Sequence, residues 1–526
     1  MNESRELARF VSDLKYEDLP PDVIARAKDL ILDQVGIMLA CATLPWSRII
    51  YNYVRTWGDD RQEATIAHYG VKTKAENAVF ANCSFGHGFE IDDHYPPGQS
   101  HPGCIAVPTS MVMTERERGS GRDFILGVVA GYEVMGRINK AIAPSCLIRG
   151  FHAPTSISGP FAAAAVAGKL MGYGPELMLN TLSIAGSHAS GVIEYDQTGG
   201  SVKRMHAGMA ASGGLRAAFI AKEGLTGPPT ILEGHHGFCQ AFADEYFLNE
   251  ITDGLGKDFR VVLGAGYKIY CSCGAMHSGL DAMRILMDRH GIKAEDVEEV
   301  MFGSNKQTIS HVSATPIDIT SAQFSAPFGI ALTLIRGGNG FNDYTEETLR
   351  DQRLHDLAAK VRMVVDDEIQ SEYPAKRGTR VTVRLKNGAT YAEKVAYCKG
   401  LPQNPLSSQE LEDKFRGLAA VVATGDRMDQ LLETVYSLDK LKDISRLITL
   451  MNSNPRRKVA ANGNRKGKVK VTVKVKVKVK GKARRSAAKP KATARVKAKS
   501  KTKTKSKAKA KAKTKTVKKA KGRAKR

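Results

Sequence analysis

The sequence contains no run of the about 18 apolar residues that a membrane-spanning helix requires, so no spanning segment is expected. Its opening, MNESRELARFVSDLKYEDLP, is charged throughout and lacks the apolar core of an export signal, which makes a cytoplasmic protein the expectation. Cysteine is sparse: eight residues in 526, namely Cys41, Cys83, Cys104, Cys146, Cys239, Cys271, Cys273 and Cys398, scattered rather than framed. That usage excludes a small disulfide-stapled secreted domain and fits reduced thiols. The one tight pair, Cys271-Ser272-Cys273, lacks the second pair that would complete a zinc or iron–sulfur site. GxGxxG, P-loop and HExxH patterns are all missing, so nucleotide binding and helical zinc chemistry have no support, and neither cofactor nor metal is expected.

Acidic residues are missing altogether from one region. Between Pro455 and Arg526 stand 33 Lys plus Arg and no Asp or Glu, so the chain's net charge of +25 belongs to this tail. Residues 1–454 keep 46 basic against 54 acidic residues, a net charge near −8. The tail also lacks aromatics, so nothing offsets the entropy of ordering it, and residues 454–526 are expected to be disordered. Within it, VKVTVKVKVKVK from Val469 to Lys480 alternates like a strand but has nothing to pack against. Flexible lysines at this density would bind nucleic acid or another polyanion through residues 455–526, without base readout and in a salt-sensitive way.

The body, in a chain whose residues are 42% hydrophobic, has ample material for a buried core. Leu7, Phe10, Val11 and Leu14 fall at helical spacing, Pro20-Pro21 interrupts, and Val23 to Leu39 resumes the pattern. From Phe124 to Gly224 the apolar runs are rich in Ala and Gly, as in FAAAAVAGKLMG and GMAASGGLRAAFIAKEG, which suits closely packed helices buried on most sides. The texture changes after Tyr267. Glu299 to Phe302 reads as a strand; Val381, Val383 and Leu385 alternate with polar residues, and Asn387-Gly388 predicts a two-residue type I′ hairpin turn. Ser407-Ser408-Gln409-Glu410 has capping-box spacing, and helices resume from Leu411 to Met451. The expected fold is mostly α: a helical domain of residues 1–267 and 400–453, with an α+β lid of residues 268–399 inserted.

Four segments carry chemistry. GHGFEIDDHYPPGQSHPG, from Gly86 to Gly103, packs three histidines and three carboxylates among prolines and glycines, the composition of an irregular loop. A plain polar loop is one reading, and metal binding by His87, His94 and Asp92 another, although their spacing matches no HExxH or similar helical pattern. In GFHAPTSISGP, His152 precedes a helix start capped by Thr155 or Ser156, where the helix end disfavours imidazolium and leaves a neutral proton carrier; a structural histidine fits equally well. In EYDQTGGSVKRMHAGMAASGG a glycine pair precedes Lys203, Arg204 and His206 at the mouth of an apolar helix, a place for a carboxylate or phosphate or simply a solvated basic turn. GYKIYCSCGAMH brings Lys268, Tyr270 and His277 to the edge of the lid, where a cleft would form.

Together, HxxxxDD followed by SHPG (His87, Asp92, Asp93, His101), then GFHxPT, then KRMHAGMAASGGLRAAFIAKEGLTGPPTILEGHHGF resemble the MmgE/PrpD family, in order along residues 5 to 450. The resemblance implies a helical domain with a smaller α+β lid, a homodimer, and a cofactor-independent lyase acting on a small polycarboxylate such as 2-methylcitrate. It places the active-site histidines on His101 and His152, the lysines on Lys203 and Lys268, and the acidic pair on Asp92 and Asp93. Arg204, His206, Tyr270 and Ser325 complete the expected site as substrate-binding residues. Phe328 departs from the tyrosine of the family's decarboxylases, and Cys271 stands where proline is common.

The expected reaction is proton abstraction next to a carboxylate with loss of a β-hydroxyl, as in a dehydratase. One histidine would act as base and the other as acid, while the lysines hold the growing negative charge. Decarboxylation or epimerisation at the same site are alternatives. So, in a different class, is a non-catalytic protein that binds polyanions through its tail.

Overall fold

The computed structural model describes residues 2–453, and the expectations for the lysine-rich tail, including the strand at Val469–Lys480, lie outside the described residues. The structure is mostly α-helical. Proline at the first turn fits the orphan N–H positions there and starts the helices Pro21–Cys41 and Pro45–Trp57. Ser120 opens Gly121–Ile142 with a capping box closed by Asp123. Helices Glu3–Asp13, Ala75–Gly86, Gly103–Glu117, Ala153–Leu170, Pro175–Gly186 and Lys203–Lys222 are the other long helices of the first part of the chain. A two-stranded antiparallel sheet, β1 Ala64–Ile66 and β2 Val71–Thr73, interrupts this helical region.

Small residues set how closely these helices approach. A Cβ on Gly214 would stand 2.4 Å from the Pro160 carbonyl oxygen, so Lys203–Lys222 rests directly on the backbone of Ala153–Leu170. His152 and Lys203 therefore start two helices that touch, which brings their side chains to one place.

The α+β region holds a four-stranded sheet in the order β4-β3-β5-β6, with β3 Val297–Ser304, β4 Val361–Val365, β5 Thr379–Leu385 and β6 Thr390–Val395. β3 pairs parallel with β4 and antiparallel with β5, placing Val300 opposite Val383 and Phe302 opposite Val381. Alternation buries Val381 and Val383 against helix His277–His290. The β5–β6 turn differs from the two-residue form expected. Leu385 donates its N–H to the Ala389 carbonyl, and only Gly388 has positive φ, at +88°, so the loop has three residues with glycine in the left-handed position.

The last helices pack back on the first. Ser407 and Glu410 form the expected capping box at Ser408–Ala419. That helix lies on Pro21–Cys41 through Phe415 against Gly36 and a Lys414–Asp33 ion pair of 2.6 Å. Leu411, Phe415 and Leu447 share a core with Leu7, Val35 and Phe124, a burial of roughly 1.5–3 kcal/mol for each large side chain. Among the described residues no single helix is long and apolar enough to cross a membrane.

Candidate active site

A cavity of about 600 Å³ is lined by segments from both parts of the chain, including Glu90, His101, His152, Lys203, Cys273 and His311. Beneath it lies a buried charge cluster centred on a residue that sequence reasoning did not single out. Glu90 pairs with Lys203 through one carboxylate oxygen, which Arg204 Nη1 also approaches at 3.3 Å, and with Lys268 Nζ at 3.3 Å through the other. One carboxylate thus faces three cations. Burial pushes the Glu90 carboxyl up, but the three cations outweigh it and hold the group well below the usual carboxylate range. Burial draws Lys203 down, whereas the attraction of Glu90 and Asp92 raises Lys268. The excess of cation over anion suits a polyanionic ligand.

Glu90 has positive φ, 56°, in the loop that also carries Asp92, Asp93 and His101. Only its presence in the histidine- and carboxylate-rich segment marks it in the sequence. Its lysine partners lie 113 and 178 positions away, so no local spacing reveals the pairing.

His101 donates from Nδ1 to the Asp93 carbonyl oxygen at 2.7 Å. A carbonyl can only accept, so this bond fixes the proton on Nδ1 and leaves Nε2 as a lone pair at a cavity-lining residue. Burial holds the imidazole neutral, down to about 3, with Asp92 opposing the shift at 3.6 Å. Asp92 accepts from His87 Nδ1 at 2.7 Å. Asp93 accepts from Tyr132 Oη and the Gly103 N–H, both at 2.9 Å, and burial together with Asp92 pushes its carboxyl up to about 8. The acidic pair therefore splits: Asp92 acts on the histidines, while Asp93 pins the loop.

His152 stands at the N-cap position of Ala153–Leu170 and makes no side-chain cap; neither Thr155 nor Ser156 begins the helix, as they were expected to. Its Nδ1 lies 2.7 Å from His206 Nδ1, one donating and the other accepting. The expected depression of its imidazolium is present, with burial the leading cause, followed by His206 and Lys203. His87 lies between the two proposed proton carriers, its ring 5.4 Å from that of His101 and 5.5 Å from that of His152.

The structure thus gathers His101, His152, Lys203, Lys268 and Asp92, with Arg204, His206 and Asp93 as their supports. Arg204 is consumed by Glu90, Gln323 and Thr320, and His206 by His152, so neither lines the cavity. Tyr270 and Ser325 are not brought to the site. The Tyr270 hydroxyl donates to Asp281 at 2.6 Å, and Ser325 caps the helix Ala326–Arg336. Phe328, the departure from tyrosine, is buried in the core of the α+β region and does not line the cavity. Tyr195 was not anticipated; it lines the cavity with its ring 5.2 Å from that of His152.

Among the described residues, His87, Asp92 and Cys104 bring metal-type donor atoms within 4.8 Å of one another. Burial and the neighbouring Asp92 push the Cys104 thiol far up, and it donates to the His101 carbonyl at 3.1 Å, so here the group works as a hydrogen-bonded support for His101.

The MmgE/PrpD N-terminal domain matches residues 5–249 and the MmgE/PrpD C-terminal domain residues 270–439. The chain is 29% identical over 478 residues to a cis-aconitate decarboxylase of Aspergillus terreus, covering 85% of this chain and 95% of that one. It is 26% identical over 482 residues to the cis-aconitate decarboxylase of Homo sapiens (87% and 96%) and 24% over 469 residues to that of Mus musculus (85% and 93%).

Proposed function

We propose, for a chain that belongs to the MmgE/PrpD family, a lyase that acts on a small polycarboxylate by acid–base chemistry, with decarboxylation of a cis-aconitate-type tricarboxylate as its reaction. The observation that carries this reading is His101: its Nδ1 is committed to a backbone carbonyl, and its Nε2 is left as a base on a residue that lines the same cavity as His152 and Lys203. The names of the relatives favour decarboxylation over the dehydration of 2-methylcitrate that the sequence first suggested.

Loss of carbon dioxide replaces a carboxyl by a proton, and the electron pair it leaves must be stabilised until that proton arrives. Lys203 and Lys268 supply fixed positive charge for this, which can lower the barrier by several kcal/mol. Without ligand the two imidazoles are neutral. A substrate with two or three carboxylates brings negative charge to the cavity and favours imidazolium, so the donor proton is loaded as the substrate binds. His101 and His152, on the two sides of His87, then exchange protons with the reacting carbons, a contribution of roughly 10²–10⁴-fold.

Incubating the full chain with cis-aconitate, 2-methylcitrate and citrate in deuterated water, followed by proton NMR, tests the reading. A methylene product and carbon dioxide from cis-aconitate are expected. New vinylic signals from 2-methylcitrate instead would move the assignment to dehydration, and no change in any of the three would end it. We further propose a homodimer in solution, tested by light scattering, and polyanion binding by residues 455–526, tested by a deletion that abolishes heparin binding and leaves turnover intact.

A further inference from the structure

The cavity holds a second reactive constellation that the lyase chemistry does not use. Cys273 lines it, and so does His311, although the two are 38 positions apart. Cys273 is held in place by its N–H, which donates to the Gln323 carbonyl at 2.9 Å. The His311 imidazole shares this cavity with the Cys273 thiol and, through Nδ1 at 2.6 Å, hydrogen-bonds the Asp196 carboxylate. Asp196 sits in the short helix Tyr195–Thr198 and His311 ends the helix Lys306–His311, so three separate segments converge. A thiol, an imidazole and a carboxylate in this order form a nucleophile, its base and the group that orients the base.

We propose that Cys273 is a nucleophilic thiol site, activated by His311 and Asp196, that takes α,β-unsaturated carboxylates and other carboxylate-bearing carbon electrophiles admitted by the cavity. Electrostatics agree with the geometry. Burial works against a thiolate, yet the neighbouring His311 brings the Cys273 thiol below its ordinary value, while Cys273 and Asp196 lift His311 to about 9 against its own burial. Cys398 is an internal contrast: it lines the same cavity, but burial and Asp281 push its thiol up to about 12. The carboxylate preference follows from the excess of positive charge: Lys140, Lys203, Arg260, Lys376 and Arg377 line the same space against two carboxylates, Glu90 and Glu250.

In the addition, sulfur bonds to the β carbon, the double-bond pair shifts to the α carbon and its carboxylate, and the His311 imidazolium proton ends on the α carbon. Atoms and charge balance without a further reactant. The site stands apart from the lyase reading, in which none of these three residues has a role.

The test uses the full chain with limiting iodoacetate or iodoacetamide, followed by peptide mapping of all eight cysteines. Cys273 is expected to alkylate first, with iodoacetate at least as fast as iodoacetamide, and His311→Gln to slow it by about ten-fold or more. Asp196→Asn, which keeps the imidazole, is expected to give an intermediate rate, and unchanged melting and Cys398 labelling show that the variants are folded. Cys398 or another cysteine reacting ahead of Cys273, a several-fold preference for iodoacetamide, or wild-type rates in folded His311→Gln would each overturn the proposal.

Discussion

Glu90 and Lys268, 178 positions apart in sequence, meet with 3.3 Å between Oε2 and Nζ, and the same carboxylate pairs with Lys203. Removing the anion leaves three buried cations facing one another. Glu90→Gln is therefore expected to lose about 3–5 kcal/mol in urea unfolding, the cost of breaking a buried pair. Citrate should raise the melting temperature of the variant more than that of the wild type, because its carboxylates replace the missing charge; equal shifts would show that the cluster does not face the ligand.

The contact between Gly214 and Pro160 predicts a packing effect on chemistry. A Cβ at 214 meets the Pro160 carbonyl at 2.4 Å, so Gly214→Ala must part the two helices that begin at His152 and Lys203. A loss of about 1–3 kcal/mol is expected in thermal unfolding, with a fall in kcat larger than the change in KM. Wild-type kcat in a destabilised variant would show that the helix starts hold their positions independently.

Four buried histidines, His87, His152, His206 and His277, and the partly buried His94 and His101 are kept neutral chiefly by desolvation, His101 and His277 down to about 3 and His206 to about 4. Their folded values lie below the unfolded value near 6.5, so below that pH the unfolded chain binds protons the folded chain refuses. Stability contributed by these groups is present above about pH 6.5 and is lost as pH falls toward 4. Thermal midpoints should drop steeply between pH 7 and pH 5; a flat profile there would contradict the burial of the cluster.

Much of this architecture was legible in the residues. Proline breaks, the Ser407–Glu410 capping box and the alternation of Val381, Val383 and Leu385 are local signals, and local rules govern them. The hairpin turn was misread because Asn387-Gly388 serves a three-residue loop as well as a two-residue one, and the closing pair decides between them. Site residues followed the same division. His101, His152, Lys203 and Lys268 stand in motifs, whereas Glu90 and the Cys273–His311–Asp196 set are defined by contacts between distant segments, which spacing does not encode. Tyr270 and Ser325 were polar neighbours of motif residues whose side chains found partners elsewhere, in Asp281 and a helix cap.

Neutral imidazoles in a cavity bordered by cations predict that binding a polycarboxylate draws protons from solution. Calorimetry of citrate binding at pH 7 in two buffers of different ionisation enthalpy measures this directly. An uptake of roughly one proton per site is expected. No buffer dependence would mean that the imidazoles stay neutral on binding and that the donor proton comes from elsewhere.

The role of His101 is the point on which the account turns, and single-turnover NMR of wild type and His101→Gln with cis-aconitate in deuterated water tests it most directly. The wild type should place one solvent deuteron on the product for each carbon dioxide released, and the folded variant should be slower by roughly 10²–10⁴-fold with little change in affinity. Undiminished turnover and deuterium incorporation in His101→Gln would contradict the mechanism.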